Sequence, residues 1–171
     1  MMRPSREELE ARVAPILGAG ALEAATVAVV GLGSGGSLVA WWLASAGVGT
    51  LRLLDPELLE RANLWRHLVG VEGLGRPKVD AVGERLRQVN PHAALELHRL
   101  DVTGPLGLDA LLEPRPQLIV VATDTEESRL AVAQAAVEAR LPVVYGAAFD
   151  RAALGEIFWT APRRACYGCV A

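Results

Sequence analysis

The stretch GLGSGG places Gly31, Gly33 and Gly36 at the spacing G-x-G-x-x-G, directly after the apolar run TVAVV. Glycine at these positions allows a tight strand-to-helix turn, close approach of the backbone to phosphate oxygens, and close packing of helix on strand. The free N–H groups and partial positive charge at the start of the next helix then suit an anion. About 20 residues further on, Asp55 ends a second apolar run, where a carboxylate can accept hydrogen bonds from both ribose hydroxyls. A nucleotide site is the reading these residues favour. Glycines that merely shape a turn are the plainer alternative, and Asp55 in register counts against it. The fingerprint alone does not separate NAD, FAD and ATP.

Charge beyond the fingerprint bears on that choice. The segment DPELLERANLWRHLVGVEGLGRPKVDAV carries Asn63, Arg66 and Lys78 in the loop after the second strand and at the start of the next helix. A dinucleotide pyrophosphate is held largely by loop backbone, whereas a triphosphate about to lose pyrophosphate needs added positive charge and usually a metal. Asp124, in VVATDTEE just past a later apolar strand, is positioned to reach a Mg ion that bridges phosphates. Taken singly, the cations also read as solvated surface charge, and Asp124 as a cap for the helix that begins near Thr125. Gathered at one edge with Gly31, Gly33, Gly36 and Asp55, they read as an ATP site. An NAD-linked oxidoreductase is the rival enzyme reading, because the glycine loop and Asp55 suit it equally. His67, His92 and His98 show no partner pattern that reads as catalytic, and surface or structural roles are expected of them; His67, beside Arg66, is the one to follow.

These residues need a scaffold that brings them to one edge. Ser5 to Leu17 reads as a helix, with Ser5 as N-cap and Glu7 and Glu8 in its first turn. Thr26–Val30 reads as a buried strand, Ser37–Ala46 as a helix and Thr50–Leu54 as a strand ending at Asp55. Pro77 stands where a first helical residue would, and Val79, Val82, Leu86 and Val89 then repeat at helical spacing until Asn90-Pro91. Leu95, Leu97 and Leu100 suggest a weaker third strand. Gln117–Ala122 reads as a strand, Glu126–Arg140 as a helix and Pro142–Tyr145 as a further strand. This alternation predicts an α/β fold, a doubly wound, mostly parallel Rossmann-like sheet with helices on both faces. LGEIFWT, Leu154 to Thr160, has no helix after it and is expected to form an antiparallel edge strand. Trp41 and Trp42 are adjacent on one helix and point about 100° apart. One of them is expected in the core and the other partly exposed, with a subunit contact as the alternative.

The chain has 171 residues, enough for about one domain with a substantial core. Its net charge of −3 and the absence of a long Lys or Arg block argue against unspecific binding to nucleic acid. The charged start and the lack of any run near 18 apolar residues predict a cytoplasmic protein with no membrane span. The two cysteines, Cys166 and Cys169, have the C-x-x-C spacing of half a four-thiolate zinc site, and the second pair is missing from this chain. Two reduced thiols are expected here, with zinc only if another pair lies outside the chain. A disulfide-oxidoreductase motif would need the pair to open a helix.

GLGSGG, LLD, NLWRH, GRPK, NP, ATD, GAA and CYGC, in this order and at these intervals, resemble the adenylation domain of the ThiF/MoeB/HesA family, relatives of the ubiquitin-activating enzymes. The likeness runs from about residue 20 to the end and implies an ATP-binding adenylation domain over 21–171, truncated at its C-terminus; the helix read over Ser5 to Leu17 makes 1–20 an N-terminal helical arm. It implies Mg-ATP as cofactor, a homodimer, and a ubiquitin-like or sulfur-carrier protein whose C-terminal glycine is adenylated. By that resemblance Asp55 holds the ribose, Asn63, Arg66 and Lys78 the phosphates, and Asp124 the Mg ion. Arg66, Lys78 and Asp124 would be the catalytic groups, acting by alignment and charge, since a carboxylate is already ionised at neutral pH. Many members read NLQRQ where this chain has NLWRH, so Trp65 and His67 replace polar residues while Arg66 is kept. The family also implies an arginine from a partner's N-terminal arm, for which Arg3, Arg6 and Arg12 are candidates. A non-catalytic nucleotide-binding fragment is the remaining alternative.

Overall fold

A computed structural model describes residues 3–12, 14–149 and 154–169. Ser5 accepts the Glu8 N–H while the Glu8 side chain accepts the Ser5 N–H, a reciprocal capping box that starts α1 at Arg6–Glu10. The expected helix to Leu17 is broken, and a separate short turn, α2, covers Ala14–Leu17. Pro15 supplies the reason: inside a continuous helix it would remove the bond to the Ala11 carbonyl and its ring would clash there, whereas in the first turn of α2 it is tolerated. Val13 lies outside the described residues.

The strands β1 (Thr26–Val30), β2 (Thr50–Leu54), β3 (Ala94–His98), β4 (Leu118–Val121), β5 (Val143–Phe149) and β6 (Leu154–Thr160) form one sheet in the order β3-β2-β1-β4-β5-β6. The first five pair in parallel and β6 pairs antiparallel with β5, as the sequence pattern predicts. Connections leave β1 toward β2 on one side and reach β4 on the other, so strand order reverses beside β1. In open sheets of this kind the ligand crevice lies outside the carboxyl ends of the strands at the reversal, here β1 and β4. The helices are α3 (Ser34–Ser45), α4 (Lys78–Val89), α5 (Pro105–Leu112) and α6 (Glu126–Ala139).

Strand alternation divides the core in two. Val27, Val29, Leu51 and Leu53 pack with residues of α3 and α4, among them Ala40, Val82 and Leu86. Ala28, Val30, Ile119 and Val121 pack with residues of α5 and α6, among them Leu111, Val132 and Ala136. Burial of a sheet on both faces requires such continuous apolar strands. The exception is Arg52 of β2, which is fully buried. Its guanidinium donates to the carbonyls of Leu111 and Pro114, both at 2.8 Å, and pairs with Glu96, tying the end of α5 to the sheet.

Several boundaries differ from expectation. α3 begins at Ser34 rather than Ser37, with Gly33 as its N-cap, so two glycines of poor helix propensity lie in its first turn. Pro77 caps α4 instead of opening it. β3 ends at His98, leaving Leu100 outside. β5 continues to Phe149 because β6 supplies ladder partners along the low-propensity GAA. α5, which the periodicity does not indicate, has only eight residues and includes Gly107, where a Cβ would sit 2.0 Å from the Asp101 carbonyl oxygen. Trp41 packs partly into the core and Trp42 is 64% exposed, with their rings edge to face at 4.7 Å.

Candidate functional site

The glycine loop joins β1 to α3 at the crevice. Gly31 has φ of +83°, and a Cβ there would also meet Thr123 Cγ2 at 2.9 Å and the Ala122 carbonyl carbon at 3.0 Å. At Gly36 a Cβ would lie 1.8 Å from the Gly31 carbonyl oxygen. Both positions therefore need glycine for the turn and for the contact of α3 with the strand ends. Gly33 differs: it has φ −69° and ψ −153°, and no heavy atom lies within 4 Å of an added Cβ. The protein itself leaves the space above Gly33 open, beside the N–H groups that begin α3. That is the shape a phosphate group needs.

Asp55 is only 4% exposed at the end of β2. Its Oδ2 accepts the Leu32 N–H of the glycine loop at 2.7 Å and its Oδ1 the Glu57 N–H at 2.8 Å. Burial raises its pKa above the usual carboxylate range, while these two bonds and the Lys78 ammonium oppose that rise. The carboxylate thus fixes the glycine loop against the end of β2.

The loop after β2 forms a 3-10 turn over Arg61–Arg66. Arg66 reaches back across it, and its Nη1 donates to Ser34 Oγ at 2.7 Å, placing the guanidinium at the start of α3. Asn63 lies in the same turn, where its Oδ1 accepts the Glu60 N–H at 3.0 Å and closes it. Lys78, at the first position of α4, is 4% exposed and pairs with the exposed carboxylate of Glu57. The sequence pattern indicates neither the Glu57 pairing nor Ser34 as the partner of Arg66.

Asp124 follows β4 and is exposed, with no hydrogen-bond or ion-pair partner among the described residues. It does not cap α6, whose N-cap is Thr125. Its neighbour Thr123 contacts Gly31, and the Thr123 carbonyl accepts from Arg129 Nη2 at 2.6 Å and Nε at 3.1 Å. Arg129 also approaches the Tyr167 hydroxyl at 3.5 Å, and that hydroxyl donates to Glu126 at 2.9 Å. Arg129 and Tyr167 thus buttress the loop that carries Asp124, a role sequence reasoning misses. The only signal for it is an arginine five positions after the aspartate on an otherwise Ala-rich helix.

The cysteines lie against α6, not at the glycine loop. Cys166 and Cys169 have free thiols with sulfurs 3.4 Å apart, and the Cys166 backbone and side chain lower the Cys169 pKa. Among the described residues no cluster of three or more His, Cys, Asp or Glu could hold a metal. Mg differs from zinc here, because it commonly takes one or two carboxylates and completes its shell with phosphates and water. The unpartnered Asp124 fits that requirement. Tyr167, between the cysteines, stacks on Tyr145 with ring centroids 4.7 Å apart.

A mostly parallel sheet whose order reverses at a glycine loop, with an acid closing the second strand, defines a doubly wound α/β protein of the Rossmann type. Sequence comparison places it more narrowly. The ThiF family profile matches residues 7–171, and the chain belongs to that family. It is 32% identical over 139 residues to the probable adenylyltransferase/sulfurtransferase MoeZ of Mycobacterium tuberculosis, covering 81% of this chain and 35% of that protein. It is likewise 32% identical over 155 residues to ubiquitin-like modifier-activating enzyme 5 of Caenorhabditis elegans, covering 85% of this chain and 37% of that protein. The match thus spans about a third of the length of these curated relatives. The crystal structure of E. coli MccB with ATP shares the fold, with a TM-score of 0.82 at 21% identity over 98% of this chain and 52% of that one. No helix among the described residues is long and apolar enough to cross a membrane.

Proposed function

We propose that the chain is the ATP-binding part of an adenylyltransferase that activates the C-terminal glycine carboxylate of a ubiquitin-like or sulfur-carrier protein. The observation that carries this reading is the open space above Gly33 at the start of α3, with the Arg66 guanidinium held beside it on Ser34 Oγ. The names of the relatives, an adenylyltransferase/sulfurtransferase and a modifier-activating enzyme, support the same chemistry. The carrier's carboxylate oxygen attacks the α-phosphorus of ATP, the bond from that phosphorus to the α,β-bridging oxygen breaks, and pyrophosphate leaves. No general base is required, because the attacking carboxylate is ionised at neutral pH. Gly33 and the first N–H groups of α3 cradle phosphate, Arg66 neutralises charge on it, and Asp55 holds the ribose edge. Lys78 adds positive charge when a phosphate competes with Glu57 for it. Mg held by Asp124 would supply charge neutralisation along the polyphosphate. A homodimer and a cytoplasmic location belong to the same reading.

Calorimetric titration with ATP, with and without Mg, tests it, with NAD as the control. Mg-dependent binding of ATP and none of NAD is expected. Arg66→Ala and Asp124→Ala are each expected to abolish carrier-dependent exchange of pyrophosphate into ATP in a folded protein. Binding of NAD in place of ATP, or normal exchange in either variant, would overturn the assignment.

A further inference from the structure

Three consecutive residues of the loop after β2 reach back onto the glycine loop and the first turn of α3. Arg66 bonds Ser34 Oγ, His67 Nε2 meets the Leu32 carbonyl at 2.8 Å, and the Leu68 N–H points at Ser37 Oγ at 3.5 Å. On the other side of its ring, His67 Nδ1 accepts the Val69 N–H at 3.0 Å. An N–H can only donate and a carbonyl can only accept, so the ring proton must sit on Nε2 and Nδ1 must be bare. Leu32 is fully buried, and its own N–H is taken by Asp55. Both polar backbone groups of the residue between Gly31 and Gly33 are therefore held by side chains from downstream segments.

We propose that His67 is a positioning residue for the nucleotide phosphates. As a neutral imidazole it clamps the segment 66–69, with Arg66, to the glycine loop at Leu32, and its protonation opens the clamp. The proposal rests on the reading that the glycine loop holds ATP. A protonated ring would aim an N–H at Nδ1 toward the Val69 N–H, donor against donor, in a half-buried site. Burial is also the main reason the His67 pKa lies below the ordinary histidine value, with the Leu32 and Val69 bonds opposing it. The charged groups acting on the ring are Lys78 from α4, which disfavours protonation, and Asp55 from the end of β2, which favours it. Arg66 neighbours it in sequence, and the loop and first turn Gly31–Ser37 carry no titratable side chain. The folded pKa is depressed, so the clamp is intact above the unperturbed value of about 6.5 and is lost as pH falls through the folded value beneath it.

Arg66 is long and solvent-exposed, and an unclamped segment would have to be ordered on binding instead of beforehand. Loss of the clamp is expected to weaken Mg-ATP binding about five- to tenfold, the worth of about one buried hydrogen bond. The test is the Kd for Mg-ATP of the parent, His67→Ala and His67→Gln between pH 7.5 and 5.5, with thermal melting to confirm that each is folded. The glutamine amide carries both a donor and an acceptor but does not titrate. At pH 7.5, His67→Ala should bind about five- to tenfold more weakly and His67→Gln within about threefold of the parent. On acidification the parent should lose affinity more steeply than His67→Gln. Equal pH profiles for the parent and His67→Gln would overturn the proposal even if the alanine variant failed to fold. Mg-ATP binding unchanged in a folded His67→Ala would overturn this role alone, whereas a parent that binds no Mg-ATP at either pH overturns the nucleotide reading and this role with it.

Discussion

Gly33→Ala separates a glycine needed for a turn from one needed for a ligand. At Gly33 the backbone is extended with negative φ, and an added Cβ meets no protein atom within 4 Å. Alanine lowers the entropy of the unfolded chain, which stabilises by about 0.4–1 kcal/mol at a compatible site. It is also a poorer N-cap than glycine, by an amount of the same order, about 0.5–1 kcal/mol. The two offset each other, so the melting temperature should move by no more than about 2 °C. Binding should respond differently. A methyl group in the open space holds phosphate oxygens away from the N–H groups that begin α3. Loss of two hydrogen bonds to a charged acceptor costs about 3–6 kcal/mol, on the order of 10²- to 10⁴-fold in Kd. Gly36→Ala is the contrast: its Cβ would fall 1.8 Å from the Gly31 carbonyl oxygen, so the fold itself must give way. Thermal unfolding and Mg-ATP calorimetry on both variants measure the two quantities separately. A stable Gly33→Ala protein that binds Mg-ATP within threefold of the parent would refute the phosphate cradle and leave only the turn.

Asp55 and Tyr167 give two further predictions. Burial holds the Asp55 pKa above its unfolded value, so its stability contribution is fullest below about 3.9 and is lost as pH rises through the folded value. In urea denaturation at several pH values, Asp55→Asn should therefore gain stability relative to the parent across that rise; a gap moving the other way would show that the Leu32 and Glu57 bonds dominate. Tyr167→Phe keeps the stack on Tyr145 but loses the bond to Glu126 and the contact with Arg129. It should cost about 1–2 kcal/mol, a drop of about 3–6 °C in Tm, and an unchanged melting curve would mean that the C-x-x-C turn is not held by that hydroxyl.

The sequence by itself determined the layering of the fold and the location of the crevice. Continuous apolar runs such as TVAVV, separated by helical spacing, leave a parallel sheet with both faces covered as the economical way to bury them, and a glycine fingerprint needs only its own strand and helix to be recognised. LGEIFWT, with no helix after it, marks the antiparallel edge for a similarly local reason. Pro15, which breaks the first helix, acts at this local level too. Tertiary structure decided how the polar residues were used. Asn63 turns in to close its own loop, Lys78 pairs with Glu57, and Arg129 and Tyr167 brace the carbonyl before Asp124. His67 joins Leu32, 35 positions away in sequence. Periodicity reports which face of an element is apolar, but a buried donor or acceptor takes whatever partner the packing brings within about 3 Å, and that partner comes from a distant segment whose approach no local pattern encodes.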